Sequence, residues 1–118
     1  MRILRSTFLM SLTLLFVLMV ASAEDKFGVK VYDGAKYDAD TTALVAQMGG
    51  QAACYRSADE LSKVLAFYTK LPGSALMHTG AKGAYFKVNG VNVTVQSPWL
   101  NMKTGAHNTD TLISIVKN

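Results

Sequence analysis

Two hydrophobic rhythms divide the second half of the chain. Leu61, Val64, Leu65 and Tyr68 fall at i, i+3, i+4 and i+7, one face of a helix, while Ser62, Lys63, Thr69 and Lys70 lie mostly elsewhere. Ahead of them, Ser57-Ala58-Asp59-Glu60 has the S-x-x-E form of a capping box. In such a box the Ser57 hydroxyl accepts from an amide three residues on, and Glu60 reaches back to the N–H of the cap. Pro72-Gly73 ends the helix. The period then becomes two: Ala84, Phe86 and Val88 on one side of Asn89-Gly90, and Val91, Val93 and Val95 on the other. Asn-Gly tolerates positive φ, so the pattern predicts a hairpin closed by a two-residue type I′ turn. Pro98 ends that hairpin, and Thr111 to Val116 reads as a final buried strand. Leu76 and Met77 suggest a short strand between helix and hairpin.

The first half is less regular. Phe27, Val29, Val31 and Ala35 share one parity, with Lys26, Lys30 and Lys36 mostly on the other, which suggests a short strand or extended arm. Asp38-Ala39-Asp40 before Ala43–Met48, with Gly49-Gly50 behind, predicts a helix over 39–48 that turns Leu44, Val45 and Met48 inward. The competing reading makes Gly49-Gly50 the loop of a hairpin whose second strand is Gln51 to Ser57. Together these elements predict an α+β fold of two layers, an antiparallel sheet of about four strands covered on one face by one or two helices.

The extreme N-terminus has a different pattern. Arg2 and Arg5 precede an apolar run from Phe8 to Val20, and Ala21-Ser22-Ala23 follows before Glu24-Asp25-Lys26. A basic start, a short apolar stretch and small residues at the cleavage positions make a secretory signal peptide over residues 1–23, cleaved after Ala23. A run of 13 residues is short of the roughly 20 that a membrane-spanning helix requires. The expected location is periplasmic or secreted, with membrane contact only transiently through the leader. One domain, residues 24–118, remains. Loss of Arg2 and Arg5 lowers the formal charge from +4 to +2, which removes the motive for nucleic-acid binding. With half its residues apolar and 17% charged, the chain is too hydrophobic to stay disordered.

Candidate chemistry is sparse. Cys54 is the single cysteine, so it is either a buried thiol or a link between chains, which leaves a monomer or a weak dimer as the expected state. His78 and His107 stand 29 residues apart with no zinc or haem spacing around them, and no cofactor is expected. Asp33, Asp38 and Asp40 lack the rest of a calcium loop and read as charges near a helix start. A hydrolase can be assembled on paper from Ser57 or Ser97, His107 and Asp110, without the G-x-S-x-G elbow. The segment Ser97-Pro98-Trp99-Leu100-Asn101-Met102 instead places three large apolar side chains in one loop. Trp99, Leu100 and Met102 are therefore the candidate binding residues, if Trp99 does not fold back to close an end of the sheet.

Val31-Tyr32-Asp33-Gly34-Ala35-Lys36, Ser57-Ala58-Asp59 and Val64-Leu65-Ala66-Phe67-Tyr68 resemble the motifs of a group of small exported bacterial domains of unknown function. That group is similar in having Tyr-Pro-Gly-Ala, then Thr-x-Asp opening a helix that ends in Val-x-x-Phe-Tyr, then an antiparallel sheet. Asp33 and Ser57 stand here in place of its Pro and Thr. The resemblance implies an α+β protein of the bacterial envelope and carries no activity, cofactor or catalytic residue. The function expected is a non-enzymatic binding or interaction module for a protein or small-molecule partner; the alternative is a small periplasmic hydrolase using His107. Intact-mass measurement of the exported product should give a chain beginning at Glu24, and a product retaining Met1 would overturn the cleavage prediction.

Overall fold

The computed structural model describes residues 24–118, and the leader predicted over 1–23 lies outside the described residues. In chain order the elements are β1 (Asp25–Lys26), β2 (Val29–Lys30), β3 (Lys36–Tyr37), α1 (Ala39–Ala46), β4 (Gln51–Ser57), α2 (Leu61–Lys70), β5 (Ser74–Gly80), β6 (Gly83–Val88), β7 (Val91–Gln96), β8 (Trp99–Leu100), β9 (His107–Asn108) and β10 (Thr111–Lys117). One antiparallel sheet of six strands runs β3-β4-β10-β7-β6-β5, with β1-β2 and β8-β9 as separate two-stranded pairs. Strand makes up 45% of the described residues and helix 19%. This corrects the two-layer fold of about four strands: the protein is mostly β, its sheet is wider, and its two helices lie on opposite faces.

The first face is the apolar one. Pairing Ile113 with Tyr55 and Val95, and Ile115 with Ala53 and Val93, aligns alternate residues of β4, β10 and β7 into one buried surface. The β6–β7 hairpin extends it, because Val88 faces Val91 across a turn in which Asn89 and Gly90 take φ of 51° and 84°. Ala84, Phe86 and Val88 thus join Val91, Val93 and Val95 inside. Across this face lies α2, with Val64 and Tyr68 fully buried and Leu61, Leu65 and Phe67 packed at its margins. The β1-β2 hairpin covers the rest through Phe27, Val29 and Val31.

Tyrosine hydroxyls tie these covering pieces together. Tyr68 donates to the Lys30 carbonyl at 3.0 Å and accepts from the Tyr32 N–H at 3.2 Å, so α2 is bonded to the segment following β2. Burial pushes the Tyr68 phenol above its ordinary pKa. Tyr32 donates to the Asp59 carboxylate at 2.6 Å, and chiefly because of that bond its pKa is pushed up to about 12. Tyr55 donates to the Glu24 carboxylate at 2.6 Å, and burial, then Glu24, raise its pKa as well.

Two helix starts differ from the sequence pattern. Ser57 does not cap α2: it is the last residue of β4, opposite Thr111, and its hydroxyl accepts from the Asp59 N–H at 3.1 Å. The N-cap is Glu60, which makes no side-chain cap bond. Pairing in the sheet holds Ser57 extended and shifts the helix start by three residues, past the reach of the capping box. By contrast α1 starts as its Asp predicts, with Asp38 accepting from the N–H and hydroxyl of Thr41, each at 3.0 Å. Its inward side, however, is Thr41 and Thr42, while Met48 is 73% exposed and Leu44 and Val45 are half-buried. The Thr42 hydroxyl accepts from the Cys54 N–H at 2.8 Å. A small polar residue that satisfies a sheet amide lets α1 lie close against β4.

Tyr68→Phe keeps the ring and deletes one hydroxyl that serves two buried backbone groups. It should cost about 1–3 kcal/mol and lower the thermal midpoint; an unchanged melt would show that the hydrogen bonds between α2 and the β1-β2 hairpin contribute nothing net.

Candidate functional site

Covering the second face is a task for α1 and the β8-β9 loop, and they cover only the half over β4 and β10. There Val45, Cys54, Trp99 and Leu112 form a small second core. Asp110 organises its rim. One carboxylate oxygen accepts from the Trp99 indole N–H at 2.9 Å, and the other accepts from Arg56 Nε at 2.7 Å. The Arg56 guanidinium lies 5.2 Å from the centre of the Trp99 ring and 3.7 Å from the Asp38 carboxylate. The hydrogen bond to Asp110, ahead of the opposing effect of burial, raises the Arg56 pKa further. One ionic network thus links the N-cap of α1, the C-terminal end of β4 and the residue before β10.

That network lines the larger of two concave regions, a recess of about 810 Å³ among Asp38, Asp40, Arg56, Asn101, Lys103 and Asp110. Three cations and three carboxylates line it, and two of the cations are paired: Arg56 is held by Asp110 and Asp38, and Lys103 by Asp40 at 2.9 Å, while Lys36 makes no ion pair among the described residues. A ligand there would have to break pairs that the protein has already made, so size does not make this recess the better site.

The second region is a groove of about 460 Å³ on the uncovered half of the same face, where β5, β6 and β7 present polar side chains. His78, Lys82, Tyr85 and Gln96 line it from the sheet, and Leu100 and His107 form its wall. His78 stands opposite Tyr85 in the β5-β6 pairing and His107 opposite Leu100 in the β8-β9 pairing, so two histidines distant in sequence open onto one groove. Tyr85 donates to Asn92 at 2.7 Å, which orients the phenol along the sheet. Lys82 makes no ion pair among the described residues. The groove offers donors, imidazoles and one apolar wall.

The expected binding residues part company here. Trp99 is 3% exposed and folds back as part of the second core, with only an edge reaching the groove, whereas Leu100 is 52% exposed on its wall. Met102 is 51% exposed but does not line the groove. The paper hydrolase is not assembled: Ser97 donates to the Thr109 carbonyl, Ser57 serves the turn after β4, and Asp110 is engaged by Trp99 and Arg56. Cys54 is fully buried, its thiol 3.5 Å from the Ser114 hydroxyl and raised in pKa chiefly by desolvation, which puts it beyond the reach of a second chain. Asp33 is exposed, Asp38 caps α1 and Asp40 pairs with Lys103, so the three carboxylates do not converge; among the described residues no three His, Cys, Asp or Glu side chains form a metal-binding group.

His78, Lys82 and Tyr85 are the groove residues that sequence reasoning passed over. The signal that points to them is charge distribution: from Leu61 to Thr109 the chain has five lysines, both histidines and no Asp or Glu.

Compared with known proteins, the chain matches no family, no curated protein and no solved structure. The short motifs that resemble exported bacterial domains do meet in space. The Tyr32 and Phe67 rings pack edge to face at 5.3 Å, Tyr32 bonds Asp59, and Tyr68 bonds the Tyr32 amide. Those residues are used in holding α2 to the β1-β2 hairpin, a fold-building role away from the groove.

Asp110→Ala removes both acceptor oxygens and leaves the buried indole N–H and the guanidinium without their partner. A loss of about 1–3 kcal/mol is expected, with a red shift in the emission of the single tryptophan. Asp110→Asn, which keeps an acceptor for the indole, should retain the emission while still losing stability. Unshifted emission in the alanine variant would show that Asp110 does not hold the ring.

Proposed function

We propose that residues 24–118 form an exported binding module of the bacterial cell envelope, with the groove over β5, β6 and β7 as its ligand site. The observation that carries this reading is the contrast between the two concave regions. The larger balances its three cations with three carboxylates and holds Arg56 and Lys103 in ion pairs, whereas the smaller presents Lys82, His78 and His107 beside exposed Leu100, with no carboxylate on its lining. Cationic donors next to an apolar wall suit a ligand with both anionic and apolar parts. Export is supported by the leader pattern of residues 1–23. Trp99, held by Asp110, supports the loop from behind, and Leu100 contributes the contact area; Met102 lies outside the groove.

Native mass spectrometry of the product released gently from its own cell envelope tests this directly. The expected spectrum carries extra mass above the chain beginning at Glu24. That extra mass should be lost in a Lys82→Glu/Leu100→Asp double variant, which should melt like the parent because both side chains are exposed. A bare chain from the unsubstituted protein, or extra mass that survives the double substitution, would overturn the assignment.

A further inference from the structure

The six-stranded sheet ends in two unlike edges. One is β3, two residues long and beside the Asp38–Arg56 pair. The other is β5, seven residues with Ala75 to Gly80 all exposed, including Leu76 at 52% and Met77 at 55%. Its outer row of backbone N–H and C=O groups has no partner strand among the described residues. Protein edges are ordinarily blunted by lysine, proline, covering segments or bulges. Within Ser74–Gly80 there is no proline and no Lys, Arg, Asp or Glu, and the one device present is the irregularity between Leu76 and His78. An edge left this open is a template for an added strand.

Charge selects what that strand is. Lys82 lies in the turn joining β5 to β6, Lys87 stands opposite Ala75 on the neighbouring strand, and His78 is on the edge itself. From Leu61 to Thr109 the chain has no Asp or Glu; Asp25 lines a recess with Pro72, Val88 and Asn89 at one end of the sheet, but among the described residues neither Lys82 nor Lys87 makes an ion pair. A second copy docking β5 against β5 about a two-fold axis would bring these cationic surfaces together, an arrangement opposed by like charge. An extended segment bearing carboxylates meets the opposite situation. We infer that β5 takes an acidic, extended segment of a partner protein by antiparallel or parallel strand addition. Carboxylates on one side of the added strand face Lys82 and Lys87, and apolar residues on the other side meet Leu76. This rests on the groove being the ligand site and names its partner, since His78 and Lys82 belong to both edge and groove.

The test uses the chain from Glu24 to Asn118 and a blocked, fluorescein-labelled peptide alternating valine and glutamate. Fluorescence anisotropy should show binding that weakens with added salt. Binding should fall at least about tenfold, roughly 1.4 kcal/mol, when lysine replaces glutamate, and should vanish when the backbone amides on the pairing side are N-methylated. Lys82→Glu/Lys87→Glu should reverse the preference toward the lysine peptide, a change that loss of folding cannot mimic. Amide hydrogen exchange should slow along Ser74–Gly80 in the complex. No binding, equal binding of the lysine peptide, or binding indifferent to N-methylation would overturn strand addition. So would dimerisation of the free chain through β5, or association with anionic lipid vesicles that leaves β5 amides exchanging freely. Protection at Gln96 and Leu100 without protection at β5 would retain the groove as a site and reject the added strand; protection at β5 alone would do the reverse.

Discussion

Everything in this architecture hangs on the pairing of β10 with strands on both sides. β3 and β4 form one wing of the sheet and β7, β6 and β5 the other, and only β10 is hydrogen-bonded to both. Seven residues of β10 register with β4 and five with β7. Its side chains reinforce the joint on both faces: Ile113 and Ile115 are fully buried under α2 and the β1-β2 hairpin, and Leu112 enters the second core with Cys54 and Trp99. Because the two cores meet at this strand, packing on one face sets the position of the backbone that supports the other. The Asp110 network sits immediately before it and locks the loop that carries Trp99 onto the same strand.

The groove follows from an uneven division of covering material. The apolar face receives the longer helix and the N-terminal hairpin, which together bury every large side chain that β4, β6, β7 and β10 turn toward them. The opposite face receives only an eight-residue helix and a short loop, both over β4 and β10. Alternation along β6 and β7 then places Tyr85, Asn92, Thr94 and Gln96 on the uncovered half, polar enough to face solvent without cost. A site arises where the chain has side chains to show and no segment left to hide them.

Strong local signals made parts of the fold legible. Asn89-Gly90 between two alternating runs specified its hairpin and its buried parity, the i, i+3, i+4, i+7 stripe specified α2, and Asp38 marked the start of α1. What escaped depended on tertiary context. Of β5 only a short strand at Leu76 and Met77 was expected, and its full length of seven residues escaped because, as an edge, it buries almost nothing and has no alternation to detect. Ser57 has an ideal capping sequence that the sheet overrides. Hydropathy places Val45 of α1 inward as found but misplaces Met48, and it gives no sign that Thr41 and Thr42 are the most buried residues of the helix, where a threonine hydroxyl answers a strand amide. That the helices take opposite faces is invisible in one dimension: β4 has buried residues of both parities, Ala53 and Tyr55 on one side and Cys54 on the other. Of the site, the Trp99-Leu100 loop was visible as an apolar run, but its junction with His78 and Tyr85 is made by strand order alone.

β10 follows every other strand of the sheet in chain order, and this also sets the order of events at birth. A ribosome delivers the two wings first and the strand that joins them last, so until Thr111 and its successors clear the exit tunnel β4 and β7 each wait with an unsatisfied edge. The nascent chain therefore has no completed sheet until that last strand is available. A premature stop before Thr111 yields two unjoined half-sheets in place of a smaller version of the domain.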